Sequence, residues 1–295
     1  MTLKQKKVVT AYTFLAVPIV FFLFVRFFPM VYSMAMSFTD WNLLKKNINF
    51  VGLNNYIKIF NDPVFVTSLF NSLKYILFGA PLVIIISLLM ALLLNKIRKI
   101  QWLYRLLYVM PYITPMVAVS WVWRWMYQPL PLGVFNNALV ALGMDVQPFL
   151  SSPSQALFCI VVTTVWVEFG YCVVIFLAGI QTIPEEYLEA ARIDGASRWN
   201  ITMKITVPLL RPITLFLVVT ESIQFLRLFT QVYNMSFQGT GGPLDSTKPM
   251  ALYIYHKAFV NFDMGVASSA SFVLFLIIMF ITFLQLRVFK DKVSY

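Results

Sequence analysis

Seven polar side chains sit where the sequence is otherwise oily: Glu168 with Tyr171 three residues on, then Thr220, Gln224, Arg227, Gln231 and Asn234. At about 100° per residue the last five fall within an arc of about 80° on one helix, with Glu221 beside it. A one-sided polar stripe in an apolar helix belongs against protein or water, not lipid. It could hydrogen-bond a neighbouring helix, at about 0.6–2 kcal/mol per contact. It could equally line a passage that offers amides and a guanidinium to a hydroxyl-rich solute. The residue types permit both. A pairing of Glu168 with Arg227 or Arg124 is a purely structural use of the same groups, and Lys74 is expected to snorkel outward.

Catalytic chemistry finds little to work with. The single histidine, His256, has no second ligand nearby and reads as a surface residue of a loop. Cys159 and Cys172 lie thirteen residues apart in one apolar run, too far along a helix to bridge. No CxxC, HExxH or Ser/His arrangement occurs, so neither a metal centre nor an intramembrane enzyme is expected.

The other chemically loaded stretch is Glu185–Lys204, where seven charged side chains fall within twenty residues: Glu185, Glu186, Glu189, Arg192, Asp194, Arg198 and Lys204. Its spacing predicts two short helices. Thr182 is a candidate N-cap, Pro184 sits in the first turn, Glu185 and Glu186 suit the positive helix end, and Gly195 is the stop. Ser197 then caps a second helix that ends before Pro208. Tyr187, Leu188 and Ala191 form a small apolar face. Chain reversal needs only a few residues, so a capped pair points to a docking knob.

The elements that must position these groups are membrane spans. Hydrophobic residues make up 60% of the 295 and charged residues 12%, far from the balance of a soluble domain. About 20 apolar residues cross a bilayer as a helix, and six runs qualify: 8–38, 67–94, 103–127, 155–181, 209–235 and 265–289. Arg26 interrupts the first, whose second half is expected to tilt or leave the membrane. Its basic start could pass for a signal peptide, but no small-residue cleavage site follows, so the expectation is an uncleaved span. Pro18, Pro29, Pro81, Pro111, Pro115 and Pro212 predict kinks and not breaks.

The net charge of +11 could suggest nucleic acid. The basic residues instead occupy short loops, as topology signals do. With the N-terminus inside, fourteen Lys and Arg fall on inner loops (Lys4, Lys6, Lys7, Lys96, Arg98, Lys99, Arg105, Arg192, Arg198, Lys204, Arg211, Arg287, Lys290 and Lys292) against five outside. Both termini and the charged loop are then cytoplasmic. The aromatics of Ser120–Pro129 suit an interfacial belt, with stacking on a sugar ring as the sharper reading.

The charged stretch also resembles the EAA signature of membrane subunits of binding-protein-dependent ABC importers: Glu189-Ala190-Ala191, then Gly195, then Ile205-Thr206-Val207-Pro208, with Val207 in place of the usual leucine. Flanking "IDGAS" and "PLLRP", together with "FVGLNNYIKIFNDPVF" and "GTGGPLDSTKPMALYIYHKAF", resemble the carbohydrate-uptake branch. The resemblance implies an all-α integral membrane fold, the type I importer permease, with six transmembrane helices. It implies that loop 183–208 couples to an ATPase through Glu189, Ala190, Ala191, Asp194, Gly195, Ile205 and Pro208. The implied partners are a second, related permease, two copies of a cytoplasmic ATPase, and an external solute-binding protein docking around 238–262. The implied substrate is a sugar, oligosaccharide or polyol compound, and the implied location is a bacterial-type cytoplasmic membrane. No GxxxxGK[ST] phosphate loop occurs, so ATP and Mg are expected on the separate ATPase and no cofactor on this chain. A stand-alone ion-driven carrier is the competing class. Glu168 and Glu221 would permit it, although no repeat links the two halves.

Overall fold

The computed structural model describes residues 2–97 and 100–290; Arg98, Lys99 and Lys292, counted above as inner-loop charges, lie outside them. In chain order the α-helices are α1 (Leu3–Phe22), α2 (Phe28–Met36), α3 (Asn54–Phe60), α4 (Pro63–Leu94), α5 (Gln101–Ile113), α6 (Met116–Met126) and α7 (Val134–Ala141). Next come α8 (Ala156–Gln181), α9 (Glu185–Ile193), α10 (Arg198–Ile201), α11 (Val207–Leu209), α12 (Arg211–Leu226), α13 (Thr230–Met235), α14 (Met250–Tyr255) and α15 (Met264–Lys290). Among the described residues the only β pairing is an isolated bridge between Thr39 and Phe50. Among the described residues four helices are long and apolar enough to cross a membrane, or six if each of two bent pairs counts as one span. The chain is an all-α integral membrane protein.

It divides into two compact units. One holds the residues up to Asp62 with Ile254–Phe275; the other holds Pro63–Tyr253 and the residues from Leu276 on.

In the first unit, α1 and α2 join through a π turn, Leu23–Phe27, into one helix of 34 residues, Leu3–Met36. Pro18 lies inside it and Pro29 follows the π turn. At 1.5 Å per residue it is about 50 Å long, well beyond a hydrocarbon core of about 30 Å. A helix of that length would have to tilt or project to fit one. Beyond Met36 a polar clasp forms. The Asn55 amide donates to the carbonyls of Ser37 (2.9 Å) and Thr39 (2.7 Å), and the Asp40 carboxylate accepts the Asn49 backbone N–H (2.6 Å) and its side-chain amide (3.1 Å). These two donors hold the Asp40 carboxyl below its ordinary range, the backbone N–H most of all. Lys257 and Asp62 close the unit with an ion pair of 3.0 Å.

In the second unit, α4 and α8 form the central pair, with α5 and α12 against them. Most of α8 is buried. Pro81 is absorbed inside α4, and Ser87 Oγ donates to the Phe169 carbonyl at 3.0 Å. Gly170 lets the backbones of α5 and α8 touch, since a Cβ there would overlap the Tyr108 carbonyl.

Two expected spans are broken, which corrects the reading of their prolines as kinks. The run 103–127 is α5 and α6 meeting at 92°. Pro111 is carried inside α5. Pro115 supplies no N–H and forces Thr114 out of the helical basin, to φ −70° and ψ 135°. The run 209–235 is also not one helix. It begins after a 65° bend at Leu210, just ahead of Pro212. It then breaks between Leu226 and Thr230, where Arg227 takes φ −101°, ψ 14° and Phe229 takes φ −140°, ψ −62°. Irregular backbone at membrane depth is tolerated only inside protein or beside a water-filled cavity.

The Gly-rich segment after α13 is fastened to α4. Asn71 donates to the Asp245 and Lys248 carbonyls (2.8 and 3.2 Å), Tyr75 to the Thr247 carbonyl (2.9 Å), and Ser72 Oγ accepts from the Met250 N–H (2.9 Å). Lys248 also pairs with Asp245.

Candidate functional site

Two sites emerge: a charged helix pair at one end of the second unit, and a polar cluster among its spans. In the helix pair, α9 ends in a Schellman motif. The Ala196 N–H reaches the Ala191 carbonyl (2.9 Å) and the Gly195 N–H the Arg192 carbonyl (3.1 Å), with Gly195 at φ +78°. A left-handed residue is needed there, which is why a glycine closes the helix. Ser197 caps α10 as expected, accepting from the Asn200 N–H at 3.3 Å. Thr182 does not cap α9. Its hydroxyl donates backwards to the Gly179 carbonyl (2.8 Å), closing α8, and Pro184 occupies the N-cap position of α9. The second helix also does not stop before Pro208. A π turn, Thr202–Thr206, carries it into α11 and on to Leu209. The wider turn relaxes the ladder just ahead of a residue that lacks a donor.

Glu189, Ala190, Asp194 and Gly195 are exposed, whereas Ala191, Ile205 and Pro208 are half-buried. Leu188 and Ala191 turn partly inward. The outward apolar surface is instead Tyr187, Ile193 (86% exposed) and Trp199 (68% exposed). Ile193 and Trp199 were not singled out in the sequence, because they sit among charges without a periodic partner.

In the spans, Glu168 and Glu221 are each almost fully buried, at 3% and 2% exposure. The Gln224 side chain lies beside the Glu168 carboxylate. The Cys172 thiol donates to Glu221 Oε1 at 3.2 Å, and Glu221 Oε2 is buried without a partner. Tyr171 stacks on Tyr112, ring centroids 5.0 Å apart and planes 15° from parallel. The structure thus gathers Glu168, Tyr171 and Gln224, and adds Glu221, Cys172 and Tyr112. The i, i+4 spacing of Glu168 and Cys172, and the position of Glu221 beside the stripe, were the available signals for these additions.

The rest of the stripe is not one face of one helix. Thr220 spends its hydroxyl on the Phe216 and Leu217 carbonyls (2.9 and 3.1 Å), Arg227 is exposed at the break, and Gln231 (buried) and Asn234 lie beyond it on α13. Asn234 donates to the Thr230 carbonyl at 2.7 Å. Arg124 does not pair with Glu168. It donates to the Asn234 carbonyl (3.0 Å) and lies over the Trp121 ring. Among the described residues neither Arg124 nor Arg227 makes an ion pair. The Ser120–Pro129 aromatics divide: Trp121 and Trp125 are exposed, whereas Trp123 and Tyr127 pack with Phe135, Phe149 and Trp166. Among the described residues no group of three His, Cys, Asp or Glu could hold a metal.

The broken apolar spans, the buried polar cluster and the exposed helix pair are those of a multi-pass membrane protein. Residues 83–295 match the family described as the binding-protein-dependent transport system inner membrane component, and the chain belongs to that family of ABC transporter permeases. It is similar to the probable ABC transporter permease protein YesP of Bacillus subtilis, 36% identical over 99% of this chain and 94% of the relative. It is also similar to the lactose transport system permease protein LacF of Rhizobium radiobacter, 31% identical over 99% and 97%. In fold it resembles a chain of a bacterial ABC transporter involved in import of the acidic polysaccharide alginate, with a TM-score of 0.83 at 22% identity over 98% of each chain.

Proposed function

We propose that this chain forms half of the translocation pathway of an ATP-driven importer for a sugar, oligosaccharide or related polyol compound. A second, homologous permease completes the pathway, and two copies of a separate ATPase, which hold ATP and Mg, dock on α9 and α10. An external binding protein delivers the solute to the segments around 238–262, of which Leu244, Phe259, Val260 and Phe262 are exposed. Both termini and the helix pair face the cytoplasm, following the Lys and Arg bias. Glu189, Ala190, Ala191, Asp194, Gly195, Ile205 and Pro208 form the coupling element. Glu168, Tyr171, Thr220, Gln224, Arg227, Gln231 and Asn234 are candidates for the solute path.

The observation that carries this reading is the capped helix pair with Ile193 and Trp199 exposed. A chain-reversing turn requires neither the caps nor that surface. The irregular backbone at Arg227–Phe229, beside the polar cluster, supports a passage there. The lactose assignment of LacF supports the solute class.

The test is reconstitution of the chain with its co-purifying permease, ATPase and binding protein. Sugar-loaded binding protein should stimulate ATP hydrolysis and drive uptake. Uptake by the chain alone on an ion gradient, without ATP, would instead establish the secondary-carrier class.

A further inference from the structure

We infer that a cavity beneath the helix pair binds a phosphate group, the chemistry shared by the head group of an acidic phospholipid and a free phosphate ester. The cavity measures about 500 Å³ and lies among the ends of α4 and α8, α9, and the α10–π-turn segment. Lys96, Arg192 and Arg198 line it, together with Asn95, Thr202 and Thr206.

Three features single it out from the general run of inner-loop charge. The three cations come from three separate elements and share one concave space, whereas topology signals need only reach water or the lipid surface. The neighbouring acids Glu185, Glu186, Glu189 and Asp194 do not line it, and among the described residues none of the three cations forms an ion pair. Like charges around a common cavity repel until an anion enters, and each then gains a charge-assisted hydrogen bond. The donor set also suits phosphate. Two guanidiniums can clasp oxygens in bidentate fashion and a lysine adds a point charge, while Asn95 contributes amide donors. Thr202 donates its own hydroxyl to the Arg198 carbonyl at 3.0 Å, which fixes its oxygen as an acceptor for a head-group hydroxyl.

The cavity has the volume of a small-molecule site and exceeds a bare phosphate, leaving space for a glycerol or similar ester group. Basic pockets between membrane helices on the cytoplasmic side take acidic head groups. That location follows from the orientation proposed above, but the binding itself does not depend on coupling to an ATPase. A bound phosphate would tie α9 and α10 to the end of α4.

The full-length chain, purified in neutral detergent and delipidated, is titrated with phosphatidylglycerol, with phosphatidylcholine and with inorganic phosphate, and bound ligand is read by native mass spectrometry. One phosphatidylglycerol should bind, and phosphatidylcholine should bind about tenfold more weakly (about 1.4 kcal/mol). In K96Q/R192Q/R198Q the affinity should fall at least about tenfold, while K4Q/K6Q/K7Q, with the same charge loss, keeps it. If the triple variant misfolds by gel filtration and circular dichroism, R192Q and R192K replace it: the first should lose several-fold in affinity, and the second should retain most of it. Displacement by millimolar inorganic phosphate identifies a free phosphate ester as the natural ligand, and resistance identifies a lipid head group. Equal binding by the wild type and the cavity variants, or an equal loss in the N-terminal variant, overturns the proposal. Because the assay contains no ATPase, failure of the importer reading would leave this result untouched.

Discussion

Gly195 bears on both structure and coupling. At φ +78° a side chain is strained even though nothing lies within 4 Å of the position where a Cβ would sit, so the cost is conformational, about 1–2 kcal/mol. Gly195→Leu should therefore still insert, yet reshape the turn between α9 and α10. ATPase activity in the reconstituted complex should persist while uptake falls at least about tenfold; intact uptake would remove the docking assignment. Gln224 tests the other site. Gln224→Ala removes its contact with Glu168, and a structural contact of about 0.6–2 kcal/mol would lower the thermal midpoint of the purified chain. A role in the path would instead raise the half-saturating solute concentration at unchanged midpoint. At this scale the sequence was legible where one residue has one use, as with Ser197 and Gly195. Thr182 stands between two helix ends and could serve either; only the position of the Gly179 carbonyl decides it.

Among the elements, the breaks were harder to read than the helices. The run 155–181 appears almost unchanged as α8, because a long apolar stretch has no competing structure in a bilayer. Proline is ambiguous. Pro81 and Pro111 are carried inside helices, whereas Pro115 ends one at 92°. The difference lies in the residue before the proline, helical at Met110 but extended at Thr114, which composition does not encode. Pro115→Ala lifts the constraint on Thr114. Spin labels at Leu106 and Val122 should then move from about 16 Å apart across the bend towards about 24 Å along a straight helix. An unchanged separation would mean that surrounding helices, and not Pro115, impose the bend. The break at Arg227 carries no proline or glycine, so an 80° stripe computed for one continuous helix was bound to misplace Gln231 and Asn234.

For the whole molecule, orientation and acid stability can be tested directly. Cys159 and Cys172 are buried, so the wild-type chain should be silent to a membrane-impermeant maleimide. Glu189→Cys should label only from the cytoplasmic side and Gln238→Cys only from outside; the reverse pattern would invert the topology. The Asp40 clasp predicts a pH dependence of its own unit. Because folding lowers this carboxyl's pKa, the clasp's contribution is fully present above the unfolded value of about 4 and is lost as pH falls through the lower folded value. Asp40→Ala should therefore narrow its stability gap from wild type as the pH drops from 6 towards 3, measured by hydrogen exchange at Asn49. The fold class was legible throughout, since six oily runs admit few arrangements. The division into two units was not, because α15 contributes to both and no linker marks the boundary.

The 65° bend at Leu210 has a mechanical consequence. Arg198–Leu209 is an arm about 18 Å long set at an angle to α12. If the joint flexes, a rotation of about 10° swings the Arg198 end through about 3 Å. If the joint is stiff instead, the same displacement at the arm's tip would turn the helix that carries Glu221 and Gln224, as a crank turns its shaft.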